Sequence, residues 1–250
     1  MNRPEKPEPG GRFWPTHKFH RYWFVAGLLL LLAWIAIWLD VMVARVANVV
    51  TVRGDLARIL KLSEFFAHGF GIGVVLTGIW LLVPARRRFL PRLIISVLLP
   101  GAIVHAIKLL VSRQRPLVFF REFPASGWDT WRGWMPAQHE FHFNLDYASQ
   151  SFPSAHTATA LSFAIVMGWI FPRGRLLFLF LAILAAIQRI VFEAHWSSDV
   201  LAGAAVGVIV GSAMTRNWGL GYWCGLFEQA TSLKIAATDE TDDEIHSKSA

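Results

Sequence analysis

Long apolar runs alternate along this chain with short polar stretches. The runs cover roughly residues 22–44, 63–83, 92–112, 155–171, 175–193 and 198–215. A bilayer core calls for about 20 apolar residues per helix, so the pattern predicts an all-α fold: a bundle of six transmembrane helices forming one domain over residues 22–227. Residues 1–21, with Pro4, Pro7, Pro9 and Pro15, read as a flexible leader, and the acidic, polar stretch 228–250 as a disordered tail unable to form a core. Pro172 and Gly174 mark a tight turn in "FPRGR", and Ser197 or Ser198 in "HWSSD" is the expected N-cap of the last helix. Within that helix Gly203, Gly207 and Gly211 share one face, a spacing that lets a second helix approach closely. Gly69 and Gly73 invite the same reading.

Composition agrees with the pattern. Of 250 residues 54% are hydrophobic, 12 are Trp, and the mean hydropathy is +0.43, too apolar for an ordinary soluble domain. The formal net charge of +7 is split into clusters between the apolar runs, which argues against a nucleic-acid partner and for topology signals. Arg86, Arg87, Arg88 and Arg92 fall between the second and third runs, and Arg173 and Arg175 between the fourth and fifth. With the basic leader they place both termini in the cytoplasm of a cell (inner) membrane protein. Arg45, Arg53, Arg58 and Lys61 in the first external loop run against that orientation. Cys224 is the only cysteine, so neither an internal disulfide nor a cysteine-based zinc site is available. His139, Glu140 and His142 in "QHEFH" have the wrong spacing for a helical zinc motif, and no metal or cofactor is expected.

On this topology the third and fifth helices end, and the fourth and sixth begin, on the outer or periplasmic side. The third closes with "KLLVSRQRP", where Lys108 and Arg115 are seven positions apart and can share one helix side before Pro116. The fourth opens with "PSAH", where Ser154 and the free N–H groups of a helix start form an anion site. "QRIVFEAHWSSD" brings Arg189, His195 and Asp199 to the same side. Buried or intramembrane cations need anionic compensation, and a phosphate would supply it.

These stretches resemble the type 2 phosphatidic acid phosphatase superfamily. Its pattern is Lys, six residues, Arg-Pro; then Pro-Ser-Gly-His; then Ser-Arg, five residues, His, three residues, Asp. Here the positions are Lys108 to Arg115-Pro116; Pro153-Ser154-Ala155-His156; and Gln188-Arg189, His195, Asp199. Ala155 stands for the usual glycine, which matters if the position needs positive φ or a very close approach of phosphate, and Gln188 stands for a serine. Glu193, two residues before His195, is expected to point to water.

The resemblance implies a membrane phosphatase acting on a lipid phosphomonoester or pyrophosphate through a phosphohistidine. Its implied candidates are phosphatidic acid, phosphatidylglycerol phosphate, undecaprenyl diphosphate and lipid A phosphate. His195 would be the nucleophile, Asp199 would hold its other ring nitrogen, and His156 would be acid and then base. Lys108, Arg115, Arg189 and the Ser154–Ala155 backbone would bind phosphate. A lipid phosphotransferase and a non-enzymatic anion transporter remain as alternatives. Residues 117–152 form a long aromatic connection, with Trp128, Trp131 and Trp134 expected as interfacial anchors. The partners this leaves are a lipid phosphate and the bilayer; the oligomeric state stays open.

Overall fold

A computed structural model of the chain describes residues 19–50, 52–119, 122–134, 147–216 and 219–231. Seven helices follow one another: α1 Phe19–Val49, α2 Gly54–Ser63, α3 Gly69–Leu82, α4 Leu90–Leu110, α5 Ala155–Ile170, α6 Arg175–Val191 and α7 Ser197–Met214. A further helix runs over 220–231. The 135–146 stretch holding His139, Glu140 and His142 lies outside the described residues, as do 1–18 of the leader and 232–250 of the tail.

α5 is the central helix, packed against α4, α6 and α7, while α1 lies along the outside of α7. Lipid is as apolar as leucine, so burial alone drives little association here, and close van der Waals packing must supply it. The glycines of α7 provide it. A Cβ at Gly203 would come within 2.3 Å of Ser154 O, and one at Gly207 within 2.6 Å of Ala158 O. Gly211 is similarly closed in by Ser162 and Ile165 at 3.0 Å. Gly69 and Gly73, by contrast, have nothing among the described residues within 4 Å of where a Cβ would stand, so no close packing is seen there. On the outside, α1 and α6 expose Trp23, Phe24, Leu31, Trp38, Leu176 and Phe180. Helices with such outward faces need an apolar solvent.

Of the six expected spans, four stretches among the described residues are helical, long and apolar enough to cross a membrane: His20–Val49, Pro84–Leu110, Pro172–Val191 and Ser197–Met214. Gly54–Phe66 and Gly69–Leu82, bent by 65°, make a fifth if counted as one, and Ala155–Ile170 is apolar but shorter. The apolar run at 63–83 therefore does not form one straight helix. A side chain at Gly71 would collide with Phe65 O at 1.9 Å, which shows how tightly the chain folds back, and His68 Nδ1 caps α3 by accepting from Phe70 N at 3.3 Å. α2 carries Asp55, Arg58 and Lys61 beside exposed Leu56, Ile59 and Leu62, the amphipathic pattern of a helix lying along an interface. α5 has 16 residues, about 24 Å at 1.5 Å per residue. Surrounded by protein, it has no need to match the bilayer.

The fold is also not purely helical. β1 Val111–Arg113 pairs antiparallel with β2 Trp131–Trp134, pairing Val111 with Trp134 and Arg113 with Trp131. At the far end of α4 stand the basic turns Pro84–Phe89 and Pro172–Gly174, where the Arg86 guanidinium lies 5.8 Å from both the Phe89 and Phe171 rings. Arg92, expected in that loop, is instead buried in the first turn of α4. Its Nε donates to Glu228 Oε1 at 2.6 Å, and its other nitrogens reach Met214 O and Gly221 O. Glu228 lies within the helix over 220–231.

Candidate active site

At the end opposite the basic turns, α4, α5, α6 and α7 present their polar termini to one another. α4 stops at Leu110, since Val111 is already extended (φ −128°, ψ 123°) and begins β1. Lys108 and Arg115 therefore do not share a continuous helix, as the spacing suggested. They converge by another route. Lys108 Nζ donates to Gln150 O at 2.9 Å and Arg115 Nη2 to the same oxygen at 3.3 Å, while Arg115 Nη1 donates to Ala194 O at 3.0 Å.

Ser154 is the N-cap of α5, accepting from Thr157 N at 3.5 Å and from Thr157 Oγ1 at 3.0 Å. Its own N–H donates to Asp199 O at 3.0 Å, so this group is committed to α7 and not to an anion. Ala155 begins the helix proper, and among the described residues Glu193 is the one non-glycine with positive φ. The alanine is thus free of the strain that a left-handed position would impose. His156 follows, half-buried on the first turn.

His195 sits in the bend between α6 and α7. Its N–H donates to Arg189 O at 3.1 Å, as does that of Ala194 at 3.0 Å, and Glu193 makes the turn with φ 54°. Glu193 does not point to water. Asn48 Nδ2 donates to its Oε1 at 3.1 Å, fastening the bend to the end of α1. α7 is capped by Trp196, one residue before the expected serines, and Trp196 N–H donates to Asp199 Oδ2 at 3.0 Å. The Trp196 indole donates to Gln114 O at 2.7 Å.

His195 Nδ1 stands 3.6 Å from Asp199 Oδ2, longer than a hydrogen bond. Asp199 Oδ2 also accepts from Ser151 Oγ at 2.5 Å. The ring is 3% exposed, and this burial is the first reason its pKa falls from the usual 6.5 to about 4. Arg115 and Lys108 push in the same direction, and Asp199 opposes them. His195 is therefore a neutral imidazole at neutral pH. His156 lies within electrostatic range of His195, Arg189 and Lys108.

Behind Asp199 lies a charged cluster that no motif pointed to. Arg113 Nη1 donates to Asp199 Oδ1 at 2.5 Å and Ser198 Oγ at 2.6 Å, and Nη2 donates to Asp40 Oδ2 at 2.7 Å. Ser198 in turn donates to Asp40 through its N–H at 3.0 Å and its hydroxyl at 2.5 Å. Arg113 Nε is satisfied by Thr130 Oγ1 at 2.9 Å, and the guanidinium lies 4.7 Å from the Trp131 ring. Trp131, expected at the interface, thus covers a buried cation. Trp128 does sit outside, edge-on to exposed Trp38 with centroids 5.9 Å apart; the side chain of Trp134 lies outside the described residues.

On the other flank, Glu64 from the α2–α3 elbow enters the pocket. Its Oε1 is 2.8 Å from Arg189 Nη2 and 3.6 Å from His156 Nε2, and its Oε2 accepts from Gln188 Nε2 at 3.4 Å. Gln188 Oε1 accepts from Arg189 Nε at 2.5 Å. The glutamine that departs from the family pattern is thus buried and orients both Arg189 and Glu64. No group of three or more His, Cys, Asp or Glu suited to a metal occurs among the described residues.

Comparison with known proteins follows the same lines. The family model for the PAP2 superfamily matches residues 89–220, which contain every residue of the three stretches. Decaprenylphosphoryl-5-phosphoribose phosphatase of Mycobacterium tuberculosis is 33% identical over 173 residues, covering 69% of this chain and 85% of that protein. Lipid A 1-phosphatase of Porphyromonas gingivalis is 36% identical over 106 residues, 40% of this chain but only 22% of the relative. That of Rhizobium etli is 30% identical over 112 residues, covering 43% of its length. The crystal structure of Aquifex aeolicus LpxE superposes with a TM-score of 0.53 at 20% identity, over 72% of this chain and 96% of that one, a likeness of fold.

Proposed function

Because the chain belongs to the PAP2 superfamily, we propose that it is an integral membrane phosphatase that removes the terminal phosphoryl group of a lipid phosphate through a phosphohistidine on His195. The observation that carries this reading is the pairing of a buried imidazole, its Nδ1 turned to Asp199 at 3.6 Å, with a second imidazole on the first turn of α5. With Nδ1 facing a carboxylate, Nε2 is the atom left to attack phosphorus.

In the first step the His195 Nε2 lone pair forms the P–N bond as the P–O bond to the leaving group breaks. His156 donates its proton to the departing oxygen. The His195 ring gains positive charge, which Asp199 answers from the Nδ1 side. In the second step His156, now neutral, takes a proton from water; the resulting hydroxyl attacks phosphorus, the P–N bond breaks and inorganic phosphate leaves. Lys108, Arg115, Arg189 and the first-turn N–H groups after Ser154, Ala155 included, neutralise the phosphoryl oxygens. Phosphoryl transfer depends chiefly on such positioning and charge stabilisation.

The lipid is drawn from phosphatidic acid, phosphatidylglycerol phosphate, lipid A phosphate and undecaprenyl diphosphate. The relatives, named for lipid A and for decaprenylphosphoryl-5-phosphoribose, support a lipid-borne phosphate. The basic turns at the far end favour a cytoplasmic position there, and with them both termini on the cytoplasmic side of a cell membrane and the site at its outer or periplasmic boundary. The purified chain in lipid–detergent micelles, given these lipid phosphates in turn, is expected to release inorganic phosphate from at least one of them. Transfer to a second lipid without phosphate release would make it a phosphotransferase, and no reaction with any of them would overturn the reading.

A further inference from the structure

Glu64 is an unexpected charge at an anion site, since a carboxylate 2.8 Å from Arg189 weakens that cation's pull on phosphate. It is nonetheless held there, with Gln188 gripping its second oxygen and the α2–α3 elbow, braced by the close approach of Phe65 to Gly71, carrying it inward. Both oxygens have a partner, Oε1 in Arg189 and Oε2 in Gln188, yet the side chain remains 36% exposed, and a carboxylate oxygen can accept more than one hydrogen bond. Glu64 Oε1 is 3.6 Å from His156 Nε2, and on the phosphatase reading His156 protonates the leaving oxygen. Any leaving group that reaches His156 also comes up against Glu64.

We propose that Glu64 forms a leaving-group subsite that accepts hydrogen bonds from a hydroxylated headgroup and repels a second phosphate, so that the substrate is a phosphomonoester on a sugar or polyol lipid. This rests on the phosphatase reading. A carboxylate is an acceptor only, well matched to vicinal hydroxyls and opposed to a β-phosphate. The charges agree. Lys108, Arg113, Arg115 and Arg189 stand against Asp40, Asp199, Glu64 and Glu193, so the cluster holds little positive charge to spare. A diphosphate adds negative charge, and adds it on the Glu64 side.

The test compares kcat/KM of the purified chain on lipid A bearing a single sugar phosphate, phosphatidic acid and undecaprenyl diphosphate. The wild type is expected to prefer them in that order. Glu64→Gln is expected to raise the diphosphate relative to the lipid A phosphate by at least about tenfold, and Glu64→Asp, which keeps the charge, to preserve the wild-type order. A wild-type preference for the diphosphate, or an equal effect of Glu64→Gln on all three lipids, would overturn the subsite and leave the phosphatase intact. Release of phosphate from none of them would bring down the phosphatase reading and the subsite together. If Glu64→Gln does not fold, the wild-type order alone decides.

Discussion

Arg113, at the end of β1, reaches Asp40 in the middle of α1, with Nη2 2.7 Å from Oδ2 and both side chains fully buried. The same guanidinium holds Asp199, so one cation links the outermost helix to the residue behind His195. Removing one member of a buried ion pair strands the other without water, at a cost of about 3–5 kcal/mol. Arg113→Met strands two carboxylates and is expected to lower thermal stability in micelles more than Asp40→Asn, which leaves Arg113 bonded to Asp199. Equal stability of both variants and wild type would contradict the linkage.

His195→Ala and His156→Ala are each expected to reduce phosphate release by about a thousandfold or more while the protein remains folded and monodisperse. The two should differ in one respect. Only the His156 variant retains a nucleophile, so protein quenched in alkaline denaturant, where a P–N bond survives, should show an N-linked phosphate in that variant and none in the His195 variant.

The pKa of His195 near 4 sets a pH expectation. An imidazole whose folded pKa lies below its free value of 6.5 stays unprotonated until the pH falls through about 4, so the acid limb due to the nucleophile lies near pH 4. The stability consequence has the same sign. Between about 6.5 and 4 the unfolded chain binds a proton at this position that the folded chain does not, so His195's contribution to stability declines as the pH falls through that window and is constant outside it. A rate profile with its acid limb at 6.5 that shifts with His195 substitutions would contradict the burial argument.

Positive charge at the site comes from Lys108, Arg115 and Arg189, and the reaction is written without a metal. Phosphate release is therefore expected to continue in excess EDTA. Loss of activity restored by a single divalent ion would require a different mechanism.

Gly203 permits α7 to touch the cap of α5. Gly203→Ala would set a Cβ 2.3 Å from Ser154 O, forcing apart the helices that carry His156 and Asp199. Overpacking of this kind costs about 1–3 kcal/mol, and kcat should fall together with thermal stability. Gly73→Ala, where a Cβ has nothing among the described residues within 4 Å, serves as the silent control.

Local features were legible before any fold was known. Apolar run length announced a membrane protein, because a bilayer imposes its thickness on each segment that crosses it. The motif spacings picked out Lys108, Arg115, His156, Arg189, His195 and Asp199, because their order and separations match the family pattern whatever elements carry them. The route by which Lys108 and Arg115 meet was not legible, since a strand pairing with residues twenty positions away ended α4 at Leu110. The bend that breaks the 63–83 run, and the entry of Glu64 at that bend, depend on where Phe65 and Gly71 can pack. Asp40, Arg113 and Glu64 are single charges whose partners lie 73, 86 and 124 positions off, among them Gln188. No periodicity encodes such a pairing; it exists only once buried charges, deprived of water, must find one another in the assembled bundle.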